Sequence, residues 1–360
     1  MSLRRPIQAP DFNQLAKVVR GEREPNRVHF VELLVDEEIV SHITRTQLNV
    51  HWVPLADDTR ERYVQQLVEF YYRMGYDYVP ISCGWAGMPK FKSRAANDTA
   101  ILSRGQRYWV DESGGVIKNW SDFERVNWDG IGHDLWMLDT ARHFLPDGMK
   151  IAAFTVMFEL VLERFMGYQD LFLLSYDDPE LVSAVFQAWG QKVYDCYAEA
   201  TQYPEVGIIF HGDDLGFKTG TLMSPAFLRQ HIFPWFKRYA QLAHEAGSMY
   251  WYHCCGNIAQ VLDDLIDDVG IDGLHSFQDV IMPVGEFVCK HGRRTGALGG
   301  VDMDKLTRLA PDELRRHVRH TLDECMPGRF ALGSGNTVAN YVPPENYLAM
   351  LDEGLAWRSG

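Results

Sequence analysis

The sequence predicts an α/β fold, a single (β/α)8 TIM barrel with an enlarged second βα connection, and three observations carry that expectation. Short apolar runs alternate with longer segments of helical period, the rhythm of βα units around a parallel sheet. Eight such runs occur along the 360 residues, the number a closed barrel requires. No G-x-G-x-x-G follows any of them, so the alternative architecture, an open doubly wound sheet, lacks its usual phosphate-binding turn. Residues 1–26 form an N-terminal extension with a helix, and residues 27–360 form the barrel, with no linker or long internal repeat between them.

In chain order, the first strand is "RVHFVELLV" from residue 27, with "RERYVQQLVEFYYRMGY" as the helix before the second strand, "DYVPISC" from 77. The second connection then swells by about seventy residues relative to a minimal βα unit and contains the hairpin-like "RYWVDESGGVIKNW". It can fold over the mouth as a lid with flat apolar walls, or make a homodimer contact. "KIAAFTV" from 150 is the third strand, followed by the helix "DPELVSAVFQAWGQKVYDCYAEATQ". "VGIIFHGDD" from 206 leads to "SPAFLRQHIFPWFKRYAQLAHEAG", and "SMYWYHCCG" from 248 leads to "IAQVLDDLIDDVG". "IDGLHSF" from 271, "TGALGGVD" from 295 and "RFALGSGN" from 329 complete the set, with the helix "APDELRRHVRHTLDEC" before the last. Each helical segment has an apolar face and a start or stop signal.

Composition narrows the function classes. With 46% hydrophobic and 23% charged residues the chain is an ordinary globular protein with ample core. Its net charge of -14 and scattered basic residues exclude a phosphate-backbone binder, so nucleic acid is not an expected partner. No apolar stretch approaches the roughly eighteen residues a membrane span needs, and "MSLRRPIQAPDFNQ" lacks a secretory h-region, which points to the cytoplasm. Six irregularly spaced cysteines do not make a disulfide framework and are expected to be reduced.

A barrel gathers its chemistry at the C-terminal ends of its strands. Those ends offer Glu32, Cys83, Glu159, Asp213 with Asp214, His253 with Cys255, His275 with Gln278, Asp302 and Asn336. Within "YWYHCCGNI", His253 and Cys255 are two apart and share a strand face, so imidazole and thiolate can converge on a metal such as zinc, while Cys254 points to the helix layer. The bland alternative is two small buried thiols and a hydrogen-bonded histidine at the rim. Asp213 and Asp214 supply a metal ligand or proton acceptor, since adjacent like charges raise one pKa; one of them can instead cap a turn. His275 is either a catalyst or a packed rim histidine. The "DDLIDD" string at 263–268 lies on a helix with apolar spacing and reads as a solvated face.

Several segments together resemble the uroporphyrinogen decarboxylase superfamily, nearest its branch of corrinoid and coenzyme M methyltransferases. They are "FELVLERFMGYQDLFLLSYDDPELV" from 158, "GDDLGFKTGTLMSPAFLRQHIFPWFKRYAQLAHEAG", "YHCCGNI", "LGGVDMDKL" and "VPPENYLAML". The resemblance covers most of the chain from about residue 27 and implies a (β/α)8 barrel. For that branch it also implies a zinc that lowers the pKa of a substrate thiol during methyl transfer to or from a corrinoid carried by a partner protein. Carried across, His253 and Cys255 match two zinc ligands. The third, a cysteine after the last strand, is replaced by "LGSGN" with Asn336 near that place, and asparagine is a poor zinc ligand. Cys83, Glu32, Glu159 and Asp213 can each close the tetrahedron, and the sequence does not choose among them.

The expected roles are therefore His253, Cys255 and Cys83 toward metal, Asp213, Asp214, Glu159 and His275 in catalysis, and Glu32, Gln278, Asn336 and Asp302 toward a small-molecule substrate. The arginine-rich N-terminal segment that binds porphyrinogen carboxylates in the decarboxylases is absent; "HFVELLVDEE" stands there, and its acids repel a polycarboxylate. The alternatives to a methyltransferase are a carboxy-lyase acting on a tetrapyrrole or smaller acid, and a non-catalytic corrinoid or tetrapyrrole binder.

Overall fold

The computed structural model describes residues 8–90, 93–111 and 114–357. Seven parallel strands form one curled sheet: β1 (Tyr78–Ser82), β2 (Lys150–Thr155), β3 (Val206–Gly212), β4 (Met249–His253), β5 (Gly273–His275), β6 (Gly296–Val301) and β7 (Phe330–Ser334), hydrogen-bonded in sequence order. Each is short and buried on both faces, as parallel strands covered by crossover helices must be. Side-chain alternation sorts the residues. Ile208, Phe210, Met249, Trp251, Leu298 and Ala331 fill the concave interior, while Ile209, Tyr250, Tyr252 and Leu274 pack outward against helices. The N-terminal helix Phe12–Val19 closes the interior from below with Phe12, Leu15 and Val19.

The eighth expected strand, residues 27–35, is not a strand. It makes only isolated parallel bridges, Phe30 to Leu332 and Val35 to Val338. The reason is local: the Glu32 N–H and C=O, which would pair with a neighbouring backbone, are taken by the Tyr78 hydroxyl at 3.0 and 2.6 Å. The ladder therefore runs through seven strands, with this segment lying beside β7.

The enlarged connection after β1 differs from the expected hairpin. Gln106–Val110 pairs antiparallel with Ser93–Asn97 upstream, not with the 116–120 stretch, and Glu112 and Ser113 of the expected turn lie outside the described residues. This hairpin is pinned at its base: Asp98 accepts from the Arg104 N–H at 2.9 Å and from Asn340 Nδ2 at 2.7 Å, and Arg104 reaches Asp36 at 2.7 Å. It is thereby tied to the loop that follows β7. Elsewhere the "DDLIDD" acids ion-pair at the surface, Asp264 with Arg229 and Asp267 with Arg294. All six cysteines are free, and no helix among the described residues is long and apolar enough to cross a membrane.

Candidate metal centre

The side chains of β4 on its interior face, Met249, Trp251 and His253, continue in step to Cys255 just past the strand end. His253 Nε2 and Cys255 Sγ approach to 3.6 Å. From the end of β3, Asp214 Oδ1 stands 3.6 Å from His253 Nε2 and accepts the Cys255 backbone N–H at 2.7 Å. One ligand atom from each of Asp214, His253 and Cys255 can be chosen so that all lie within 4.8 Å of one another. Tetrahedral zinc with ordinary bond lengths holds nitrogen, sulfur and oxygen donors about 3.5 Å apart, so the His253 separations fit the ion without rearrangement. The Asp214 side chain is 39% exposed against 7% for His253, which leaves the centre reachable from solvent at the C-terminal ends of the strands.

Its hydrogen-bond partners fix which nitrogen of His253 is free. His275 Nε2 faces the Ser334 carbonyl at 3.0 Å, and a carbonyl only accepts, so His275 carries its proton on Nε2. Burial holds His275 well below the ordinary imidazole range, with His253 adding to the effect, so the ring is neutral and its Nδ1 is an acceptor. That atom lies 2.7 Å from His253 Nδ1, which must then donate. His253 Nε2 is left with a bare lone pair aimed at Asp214 and Cys255. Burial also lowers His253 to about 3, so neither ring is charged near neutral pH. The Cys255 thiol is pushed up by burial and then by Asp214; a cation bound beside it would act in the opposite direction.

Asn336, in place of the expected sulfur, donates from Nδ2 to Cys255 Sγ at 3.1 Å while its Oδ1 accepts from the Thr337 N–H at 2.7 Å. It holds the sulfur and does not compete for the ion. Glu159 Oε1 accepts the Asp214 N–H at 3.0 Å; burial first, then Asp213 and Asp214, push its carboxyl up to about 8.

The remaining sequence-derived residues lie elsewhere, for reasons of register. Asp213 follows the outward parity of Ile209 and His211; its oxygens accept from Met157 N–H, Glu159 N–H and His211 at 2.9–3.1 Å, so it organises the loop behind the centre. Cys83 shares the outward face with Val79 and Ile81 and sits in hydrogen-bonding contact with Cys196, away from the triad. Glu32 is fully buried, with Ser334 against its carboxyl, and does not reach the mouth. Gln278 lines a small cavity with Cys254, Ile258 and Met282 behind β4. Asp302 accepts from the N–H groups of Asp279 and Asp304 at 2.8 Å and caps the helix Met303–Arg308. Ser334, which sequence reasoning passed over, touches Glu32, His275 and the Asn336 carbonyl; its only signal was its place in "LGSGN".

Comparison with known proteins bears on this arrangement. The model of the family described as uroporphyrinogen decarboxylase (URO-D) matches residues 147–355, the stretch that contains β2 through β7 and the whole triad. No curated protein matches the chain in sequence. Among solved structures, a methyltransferase from Methanosarcina mazei is similar at TM-score 0.69 and 15% identity, over 96% of this chain and 98% of that one. A B12-independent methionine synthase from Shewanella sp. W3-18-1 is similar at TM-score 0.54 and 9% identity, over 92% and 94%. These structures share the fold.

Proposed function

Since the chain belongs to the uroporphyrinogen decarboxylase (URO-D) family, we propose that it is a methyltransferase whose Asp214, His253 and Cys255 hold zinc and whose methyl donor or acceptor is a corrinoid carried by a partner protein. The observation that carries the reading is the triad itself, with a bare imidazole nitrogen facing a thiol and a carboxylate. Bound there, zinc supplies Lewis acidity that readies a substrate thiol or stabilises the anion left as a methyl group departs. The residues do the rest. Asn336 steadies the Cys255 sulfur, and Glu159 holds a proton beside Asp214 that it can give to a leaving group.

Beside the centre stand carboxyls, Asp214 within the triad and Glu159 against its N–H, with Asp213 in the layer behind. That favours methyl transfer over decarboxylation of a polycarboxylate, which needs guanidinium partners. A large partner is supported by exposed apolar side chains on connections that leave the C-terminal strand ends: Tyr108 and Trp109 after β1, Leu173 and Tyr176 after β2, Phe217 after β3 and Val280 after β5. We further read the fold as a (β/α)8 barrel in which residues 27–35 stand in for the first strand, since they bridge β7 on one side and meet Tyr78 of β1 on the other. Free thiols throughout suit a cytoplasmic enzyme.

Metal analysis of protein purified without chelator tests the reading. Wild-type protein is expected to hold about one zinc per chain and a His253→Ala, Cys255→Ala double variant none; a wild type free of metal sinks it. A cobalt absorbance assay with a methylated corrinoid protein and thiol acceptors then reads methyl transfer directly.

A further inference from the structure

We propose that Glu32 is a positioning residue, a carboxyl that keeps its proton in the folded protein and acts through Ser334 to set both the bare nitrogen of His253 and the amide that grips Cys255. The inference rests on the metal-centre reading above, but its chemistry is legible in hydrogen bonds that need no ion.

Ser334, at the end of β7, is used at three atoms. Its N–H donates to Glu32 Oε1 at 2.9 Å. Its carbonyl accepts from His275 Nε2 at 3.0 Å. Its hydroxyl lies in short contact with both Glu32 Oε2 and the Asn336 carbonyl oxygen. A serine hydroxyl has one proton, and a carbonyl oxygen can only accept. The hydroxyl proton therefore goes to Asn336, and the contact with Glu32 is attractive only if Oε2 carries a proton and donates it. An ionised Glu32 would set two acceptor oxygens against each other in a fully buried place, a cost no buried network sustains. Burial acts in the same direction, pushing the carboxyl up to about 8.

Two branches leave this serine and meet at the centre. Along one, the fixed Asn336 backbone lets its side chain anchor Oδ1 on the Thr337 N–H and present Nδ2 to Cys255 Sγ at 3.1 Å. Along the other, the Ser334 carbonyl fixes the proton of His275 on Nε2, which obliges His253 to donate from Nδ1 and leaves Nε2 free. Glu32 touches neither ligand and governs both. Its segment runs beside β7, where the Val31 N–H donates to the Leu332 carbonyl and the Leu332 N–H to the His29 carbonyl, and the carboxyl adds a further tie at the strand end.

The test compares Glu32→Gln, Glu32→Leu and Ser334→Ala with wild type by two readouts: ring-nitrogen NMR of His253 and His275 in metal-free protein, and zinc affinity by chelator competition. Glutamine reproduces a protonated carboxyl, donating to the Ser334 hydroxyl and accepting from its N–H. Glu32→Gln is expected to keep the histidine tautomers and to bind zinc within about threefold of wild type. Glu32→Leu is expected to disturb the tautomers and to lose roughly 10- to 100-fold in zinc affinity, the usual effect of removing an outer partner of a metal ligand. Ser334→Ala, which keeps the backbone carbonyl, is expected to keep the tautomers and lose about tenfold through the Asn336 branch alone. The proposal is overturned if Glu32→Gln is as damaged as Glu32→Leu, or if Ser334→Ala binds zinc like wild type. If wild-type protein takes up no zinc, the metal-centre reading falls separately. In that case the tautomers decide for Glu32: unchanged in Glu32→Gln and altered in Glu32→Leu supports it, and any other pattern overturns it.

Discussion

Two adjacent aspartates of identical chemistry do different work because the chain turns them to opposite sides. Asp213 satisfies the Met157 and Glu159 N–H groups and His211 within the buried layer, while Asp214 is part exposed and joins His253 and Cys255. Removing the carboxylate of Asp213 strands buried donors at about 1–3 kcal/mol each. Asp213→Ala is therefore expected to lose on the order of 4 kcal/mol in denaturant melts, whereas Asp214→Ala, which strands only the part-buried Cys255 N–H, should lose about 1–2 kcal/mol and take up no zinc. Equal destabilisation by the two would refute this division. Asn336→Ala removes the one side-chain amide on the Cys255 sulfur. A hydrogen bond to a charged group is worth about 1.5–3 kcal/mol, so zinc affinity should fall about 10- to 100-fold while the melt barely moves.

At the scale of elements, the centre depends on how closely β5, β6 and β7 approach. Gly299 of β6 sits at φ +100°, and a Cβ there would lie 2.5 Å from the Ser334 oxygen and 3.0 Å from the His275 ring. That is the space in which His275 donates to Ser334. Gly299→Ala combines a left-handed conformation that side chains resist with a clash against the relay. It is expected to cost on the order of 2 kcal/mol and to change the His253 tautomer, read by ring-nitrogen NMR; a variant with wild-type histidine signals would show that the relay does not need this approach. Gly256 plays a similar part after Cys255: at φ +81° its Cβ would fall 2.3 Å from the Gly216 backbone, so the turns after β3 and β4, which also pair Phe217 with Asn257, approach this closely only with a glycine there. The sequence motif His-Cys-Cys-Gly thus encodes a ligand pair and the turn that sets it against Asp214.

At the scale of the whole molecule, a buried carboxyl makes stability depend on pH. Glu32 holds its proton to about 8 when folded, against 4.5 ordinarily. Between those values the folded chain binds one proton more than the unfolded chain, so this contribution is complete below 4.5, declines as pH rises, and is lost above about 8. Glu32→Gln has no proton to lose. Its stability relative to wild type should therefore grow between pH 5 and 8, at up to about 1.4 kcal/mol per pH unit, as read by urea melts at each pH; a constant difference would show that Glu32 is ionised in the fold. The hairpin of the enlarged connection is the other whole-molecule device. It is tied through Asp98 and Asn340 to the loop that carries Asn336, so Asn340→Ala is expected to loosen both at once, visible as faster amide exchange in 93–110 and in 336–342.

Much was legible in one dimension. Seven of the eight strands appear where apolar runs alternate with helical period, because burial on both faces writes itself into local composition. His253 and Cys255 shared a face by spacing alone, since the two-residue repeat of a strand is a local property. What the tertiary structure decided was everything between strands. Cys83 and Asp213 turned outward and Asp214 inward according to parities that begin at each strand's own first residue. Residues 27–35 have a strand's composition, yet a tyrosine hydroxyl from a distant segment takes the Glu32 backbone groups that a ladder would use. The sequence alone determined which residue types reach the end of each strand. Only the packed sheet decided which of them meet, because the register between strands is fixed by contacts far apart along the chain.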